Sequence, residues 1–598
     1  MSIALERIDG RLRIPDLLRA APQVRPVLDR YGLRGCGGEL GPAETLEFFA
    51  GAHEVPLPTL LDELRAASEA PAPPPPAAAD PADTIYRPFF KAGIAVVLTL
   101  GAAWGAYLML RIGLTGRFAA AGLREVNAHG HAQIFGWVGL FVMGFACQAF
   151  PRFKHTSLAR PRLASASLWL MLAGIVVRSV AEPLAAALAW CGPAAVAASL
   201  LEVVAIGLFV WAIAATWRRS GKGLAVYDYY ILAALFWFVV QAVGESAYLA
   251  ATLAAPDREH LLALVATWQA PLREVQIHGF GLLIVLGVSQ RIFHHFYGLP
   301  APGRRLSLAA LVCLNVAVVG EAAGLVLMRQ AGHAWAGLWY GAVLLLAASA
   351  GALVRDWRVF GPAAEPDRSL KFLRAAHAWL LVSLGMLVLL PAYQHVLLRW
   401  LAPHSEAAGI GFSHAYYGAV RHAITVGFLS LMIVGVAAKV VPTLGGLDVH
   451  RLRGLWLPFL LINGGCALRV VCQTLTDFTP RAYPVAAVSG LLEVLGLALW
   501  GAHVWGVMSG RVREGPAPVP PVPYRPGEPV EAGHRVGEVL DHHPGLLRTF
   551  VALGFRPLAN PLLRRTLARR VTIGQACRLL GLNQEGVLAV LNRERAPG

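Results

Sequence analysis

Three stretches of the chain pair a histidine with a long apolar run: His129-Gly130-His131, His278-Gly279-Phe280 and Arg421-His422-Ala423. Imidazole is neutral at neutral pH, so it costs less to bury in hydrocarbon than a carboxylate. One ring nitrogen can coordinate iron or copper while the other is held by an acceptor. His131 precedes Gly144 by the spacing that separates His422 from Gly435, and each glycine is followed at equal spacing by a proline, Pro151 or Pro442. The middle stretch keeps the equivalent Gly287, with His278 displaced by about one helical turn. This repetition predicts three successive four-helix units whose corresponding helices line a shared interior. His131, His278 and His422 are thus the expected metal ligands.

Other ionisable residues are less decisive. His129 and His414 are further candidates for holding a cofactor, or, with His395 and His404, interfacial residues. His294 and His295 end their apolar run beside Arg291 and read as interfacial. Glu202, Glu245, Glu321 and Glu493 fall in or near apolar runs, where an acid is expensive and usually functional. Spacing alone does not pair them. The seven cysteines are scattered, and most sit in apolar surroundings, which argues for neither disulfides nor a zinc site.

Such histidines need a membrane scaffold, and the composition supplies one. Of 598 residues, 56% are hydrophobic and 15% charged, too few polar residues to cover a soluble protein of this size. Roughly twelve runs reach the ~20 apolar residues that cross a bilayer. The three histidine-bearing ones are expected at about His131–Phe150, Val275–Phe293 and His422–Val441. The net charge of +16 comes from Arg and Lys at the ends of these runs, which orients a membrane protein and speaks against nucleic-acid binding. Basic residues concentrate in the even-numbered connections, so those loops and both termini are expected in the cytoplasm. No signal peptide is visible. The three histidines then lie at similar depth in the outer half of the bilayer.

Two proline-rich stretches, Pro71 to Pro81 and Pro516 to Pro529, read as extended linkers. They divide the chain into a small helical module (1–68), a linker (69–86), a membrane domain (87–510), a second linker (511–531) and a second small module (532–598). The modules repeat each other. Ile14, Leu17, Leu18, Pro22, Leu28 and Tyr31-Gly32-Leu33 match Val536, Val539, Leu540, Pro544, Phe550 and Leu553-Gly554-Phe555 at one offset. Thr45, Leu46, Leu60, Leu61 and Leu64 match Thr572, Ile573, Val587, Leu588 and Leu591 at another. The expected fold is all-α and polytopic: about twelve transmembrane helices in three four-helix units, plus two small cytoplasmic modules.

The segment from about Arg87 to Met508 resembles the NnrS family of twelve-helix membrane proteins. The motifs that carry the resemblance are His129-Gly130-His131 leading to Phe135-Gly136, Gly144-Phe145 and Pro151, then His278-Gly279-Phe280 to Gly287, and Arg421-His422-Ala423-Ile424-Thr425-Val426-Gly427. The resemblance implies haem and copper as cofactors, nitric oxide or a related small gas as partner, and a role in denitrification or nitrosative-stress resistance at a bacterial inner membrane. Histidines on spans two, six and ten are also similar to those of haem-copper oxidases and nitric-oxide reductases. That likeness implies haem ligation by His131 and His422 and copper, or a second haem, on His278. The adjacent copper-binding histidines after span six and the two-histidine motif on span ten are absent, which departs from that pattern. The terminal modules resemble a short domain of unknown function, similar to the N-terminal part of iron-sulfur cluster repair proteins, and imply contact with a cytoplasmic redox partner. A cysteine pair is typical there. Here only Cys36 stands, in Gly35-Cys36-Gly37-Gly38, where a glycine-flanked thiol near a helix start is a candidate for a lowered pKa and reactivity.

The function expected is a haem-binding inner-membrane protein of the nitric-oxide response, with copper as the second candidate cofactor. A quinol-linked nitric-oxide reductase and a proton- or metal-coupled transporter are the alternatives.

Overall fold

The computed structural model describes residues 8–69, 71, 80–364, 366–515 and 521–595. Most of the first proline-rich stretch and the start of the second lie outside the described residues. Among those described, no strand occurs and twelve helices are long and apolar enough to cross a membrane: Tyr86–Thr115, Leu123–Phe153, Pro161–Leu184, Cys191–Ser220, Val226–Leu253, Arg258–Tyr297, Arg304–Gln330, His333–Asp356, Leu370–Leu401, His414–Leu444, Trp456–Leu475 and Ala482–Met508. The protein is an all-α, multi-pass membrane protein.

Burial separates these spans into two sets. Spans two, six and ten are 78%, 89% and 72% buried along their apolar windows, whereas the others are 28–50% buried. The three histidine-bearing helices therefore form the centre, and the rest surround them. The ring closes through packing of span one on span twelve, four on five, and eight on nine. Its outer surface carries Trp169, Phe236, Val312, Leu389 and Leu460, apolar side chains suited to lipid. Each central helix seats a glycine against the first helix of its own unit. A Cβ on Gly144 would lie 2.5 Å from Phe89, on Gly287 2.8 Å from Tyr230, and on Gly435 3.0 Å from Phe372. That thrice-repeated contact makes the three units structural as well as sequential.

The central helices share a second device. Each contains eight residues of π-helix, Ala132–Gly139, Val275–Leu282 and Ala423–Ser430, beside or around its histidine. A π-turn inserts a residue, re-aims the side chains around it and is common at functional sites. Span six also begins much earlier than its hydropathy suggests, at Arg258, so that His278 lies mid-helix. The extension, Arg258–Glu274, carries Arg258, Glu259, His260, Arg273 and Glu274, too polar for an apolar window, yet it is helical.

The first module packs on one end of all three central spans. Its Gly35 carbonyl accepts from Gln148 Nε2 at 3.1 Å on span two, and Gly37 N–H donates to the Leu444 carbonyl at 3.1 Å on span ten. On span six, Arg291 donates to the Ala52 carbonyl at 2.9 Å and pairs with Glu54 at 2.6 Å. Gly35 must be glycine here, since its φ is +68° and a Cβ would meet Arg152 Nη2 at 2.1 Å. Cys36 lies against the Thr443 carbonyl, and burial pushes its thiol up to about 12. This reverses the expectation of a lowered, reactive thiol, because the cation-rich surroundings do not offset desolvation.

The second module, in a separate compact unit formed mainly by residues 513–598, uses the same frame. Ile14 and Leu46 donate to the Glu44 and Leu12 carbonyls in the first module, and Val536 and Ile573 donate to Val571 and His534 in the second. Thr45 and Thr572 cap the following helices, and Gly32 and Gly554 turn with φ of +106° and +109°.

Burial first and the Arg291 guanidinium second hold His53 of the first module down to about 3. A histidine kept neutral in the docked state but titrating near 6.5 when released contributes stability above about pH 6.5 that is lost as pH falls towards 3. Limited proteolysis of residues 8–68 should therefore accelerate between pH 7.5 and 5, and Arg291→Ala should loosen the module at both, by about 1.5–3 kcal/mol. Equal protection at both pH values contradicts this account of the docking.

Candidate metal centre

The acids that stood alone in sequence are the partners of the histidines. His131 Nε2 lies 2.9 Å from Glu202 Oε1, with the imidazole wholly buried and stacked on Phe135 at 4.4 Å. His422 Nε2 lies 3.4 Å from Glu493 Oε2 in a looser contact, and its side chain is 25% exposed. Both pairs join the second helix of a unit to the fourth, and both are separated by 71 residues. The third helix makes room for the acid with a glycine: a Cβ on Gly174 would sit 2.5 Å from Glu202 Cγ, and one on Gly465 2.7 Å from Glu493 Cγ.

The middle unit departs from this pattern. Counting back from Gly287 by the spacing that gives His131 and His422 leads to Glu274, so a carboxylate stands where the other units have imidazole. One turn on, His278 Nδ1 meets Glu321 Oε2 of span seven at 2.8 Å and Glu274 Oε2 at 3.2 Å. The three side chains are 0–5% exposed. Glu321 Oε1 is buried with no hydrogen-bond partner. Span ten completes the surroundings: Tyr417 donates its hydroxyl to Glu274, and Arg421 approaches the same oxygen at 3.5 Å. Ligand atoms of Glu274, His278 and Glu321 lie within 4.8 Å of one another, the one such group of three among the described residues. The expected metal ligands are thus distributed: His278 joins that group, while His131 and His422 each face a carboxylate of their own unit.

The remaining candidates fall outside these pairs. His129 sits over Gly105, where a Cβ would lie 2.3 Å from the ring, and its Nδ1 donates to the Gly101 carbonyl at 3.0 Å. His422, Arg469 and Arg273 are its ionisable neighbours. His414 is an exposed residue at the start of span ten, with its ring 4.9 Å from that of Phe412. His294 bonds the Leu299 carbonyl, and His295 lies 3.6 Å from Glu54. Glu245 serves two arginines, Arg178 at 2.6 Å and Arg273 at 3.3 Å, and accepts from Gln276 at 2.9 Å.

A family model, that of NnrS protein, matches residues 83–511, the part of the chain that holds the twelve spans. The chain belongs to the NnrS family. A model for a domain of unknown function, DUF1858, matches residues 534–588, within the second module. No curated protein matches the chain. NnrS membership points to a haem- or metal-binding membrane protein of the nitric-oxide response, and the Glu274–His278–Glu321 group gives this NnrS chain a place where a metal ion fits.

If the glycines of spans three and eleven exist to admit the glutamates, Gly174→Val and Gly465→Val should each destabilise the detergent-purified protein by about 1–3 kcal/mol through overpacking. Gly464→Val adds a side chain where nothing lies within 4 Å. Thermal unfolding should separate the first two from the third, and equal midpoints refute the packing argument.

Proposed function

We propose that the protein holds haem on His129 and His422 and a metal ion at Glu274, His278 and Glu321, and that it acts in the nitric-oxide response from a bacterial inner membrane with both termini in the cytoplasm. The observation that carries the haem assignment is the state of two imidazoles and two guanidinium groups. His129 has Nδ1 tied to a backbone carbonyl, which orients the ring and leaves Nε2 for iron, the arrangement favoured for a ligating histidine. His422 is partly exposed and only loosely held by Glu493. Arg469 Nε and Arg421 Nε are buried without partners, and haem carboxylates would satisfy such donors. His131 does not belong to this pair, because its Nε2 is engaged by Glu202 and its side chain is fully buried. Haem, when bound, would supply a redox-active iron, and a diatomic gas would reach it only where one of the two imidazoles gives up its place. The protein's own part is to orient the imidazoles, neutralise the carboxylates and exclude water.

A cavity supports the choice of a small gas. Between the central spans lies a space of about 100 Å³ lined by Phe141, Phe145, Ile284, Val288, Met432 and Val436, among other side chains, all of them apolar. A space of that kind stays dry and admits small apolar molecules.

Membranes containing the protein should show a Soret band that His129→Ala or His422→Ala removes and His414→Ala leaves intact. A colourless wild type, or a band lost with His131→Ala but kept with His129→Ala, overturns the assignment. Steady consumption of nitric oxide with a quinol donor would make the protein a reductase.

A further inference from the structure

The middle unit departs from the other two at two places: a carboxylate replaces an imidazole on its second helix, and its buried acid, Glu321, lies on the third helix, with Leu345 on the fourth where the outer units have Glu202 and Glu493. Glu274 stands in span six where His131 and His422 stand in spans two and ten, so the middle unit brings two carboxylates to one histidine instead of one. Glu274 and His278 are four residues apart on the helix of span six, around the start of its π-helical segment, and both reach Glu321 across the interface with span seven.

Two carboxylates at 0–5% exposure cannot remain uncompensated inside a membrane protein. The nearest fixed cation is Arg421, at 3.5 Å from one oxygen of Glu274 and 30% exposed itself. Nothing answers Glu321 except His278, and the second oxygen of Glu321 is buried with no partner. Glu202 Oε2 and Glu493 Oε1 of the outer units share that state, so the middle unit is set apart by its second buried carboxylate, Glu274, which brings three ligand atoms within 4.8 Å of one another.

We infer that Glu274, His278 and Glu321 bind a divalent cation of the iron(II), manganese(II) or zinc class, and not the copper or second haem that the likeness to haem-copper proteins implies for His278. This rests on reading the group as a metal site and is independent of the haem. Carboxylate and imidazole ligands suit these divalent ions, while copper(I) selects thiolate and thioether, and no sulfur belongs to the group. The two carboxylates also balance a dipositive ion better than a monopositive one. Three protein ligands leave coordination positions open, as in sites that accept water or a further ligand. Tyr417 donating to Glu274 and Arg421 beside it are outer partners of the kind that orient a ligating carboxylate.

The test is metal analysis of the full-length protein purified from cells, with haem measured separately on the same samples. Wild type should carry iron in excess of haem iron, manganese or zinc at about one per chain. Glu321→Gln and Glu274→Gln should each lower it roughly tenfold or more, with haem unchanged. Glu321→Asp, which keeps the charge, should retain part of it. Because sites with nitrogen and oxygen ligands bind copper(II) strongly whatever their purpose, the second arm titrates metal-depleted wild type with manganese(II), and with copper(I) under reductant. Binding of manganese(II) with weaker or no binding of copper(I) supports the inference without relying on variants that fold. Copper at one per chain that disappears in Glu321→Gln overturns it. So does the absence of any metal beyond haem together with no manganese(II) binding, which would leave His278 and the acids as an ion pair. Loss of haem alone in His129→Ala bears on the haem proposal and leaves this one standing.

Discussion

A carboxylate inside a membrane protein must find a partner before the helices around it can pack, and this constraint organises the centre of the molecule. Hydrocarbon offers no water to an ionised side chain, so each acid facing the central helices has to be met by a cation, an imidazole or a metal. The protein meets it the same way in the first and third units, with a histidine on the second helix and a glutamate on the fourth. The contacts that hold the ring follow from it. Gly174 and Gly465 draw the third helix close enough to enclose each glutamate, while Gly144, Gly287 and Gly435 seat the central helices against the first helix of each unit. The middle unit varies the repeat, with Glu274 in place of the histidine, His278 one turn on and Glu321 on the third helix instead of the fourth, and these changes create the one group of three metal-competent side chains among the described residues.

The first module adds a constraint of a different kind. It engages the ends of spans two, six and ten together, through Gly35, Arg291 and Leu444. Those ends lie beyond the apolar cavity on the same three helices, so the module and the histidine layer act on opposite ends of one packed core. Its contacts are mostly to backbone carbonyls and one largely buried arginine, which is why glycines at positions 35 and 37 count for more in this docking than the cysteine between them. The second module has the same internal frame, with Arg556-Pro557 at the turn where the first has the glycine–cysteine loop.

Much of this architecture was legible in the amino-acid order. Hydropathy and length give twelve spans, and the matched positions of His131, Gly144 and Pro151 with His422, Gly435 and Pro442 give the repeat. The π-helical segments were not legible, because a one-residue insertion leaves the apolar pattern almost unchanged. The start of span six was hidden because Arg258, Glu259, Arg273 and Glu274 lower its hydropathy while leaving it helical. The acid partners were open to view but unread: Glu202 follows His131 by 71 residues and Glu493 follows His422 by 71, a coincidence that becomes informative only when the acids are tested against the histidine repeat. Glu274 escaped for a similar reason, since attention to histidines passes over the place where one is missing. The sequence left Cys36 open between a reactive thiol and a structural turn, because it shows flanking glycines but not the burial that raises the thiol.

On this proposal the middle unit holds a metal, while His131 of the first unit stays on Glu202 and His422 of the third, loosely held by Glu493, is left for haem. A cryo-electron microscopy map of the full-length protein in nanodiscs, at a resolution that separates ligand from side chain, tests it most directly. The predicted result is non-protein density bounded by Glu274, His278 and Glu321, with direct His131–Glu202 contact retained. A map in which His278 and Glu321 close on each other with no density between them, and the strongest non-protein density lies at His131, contradicts it.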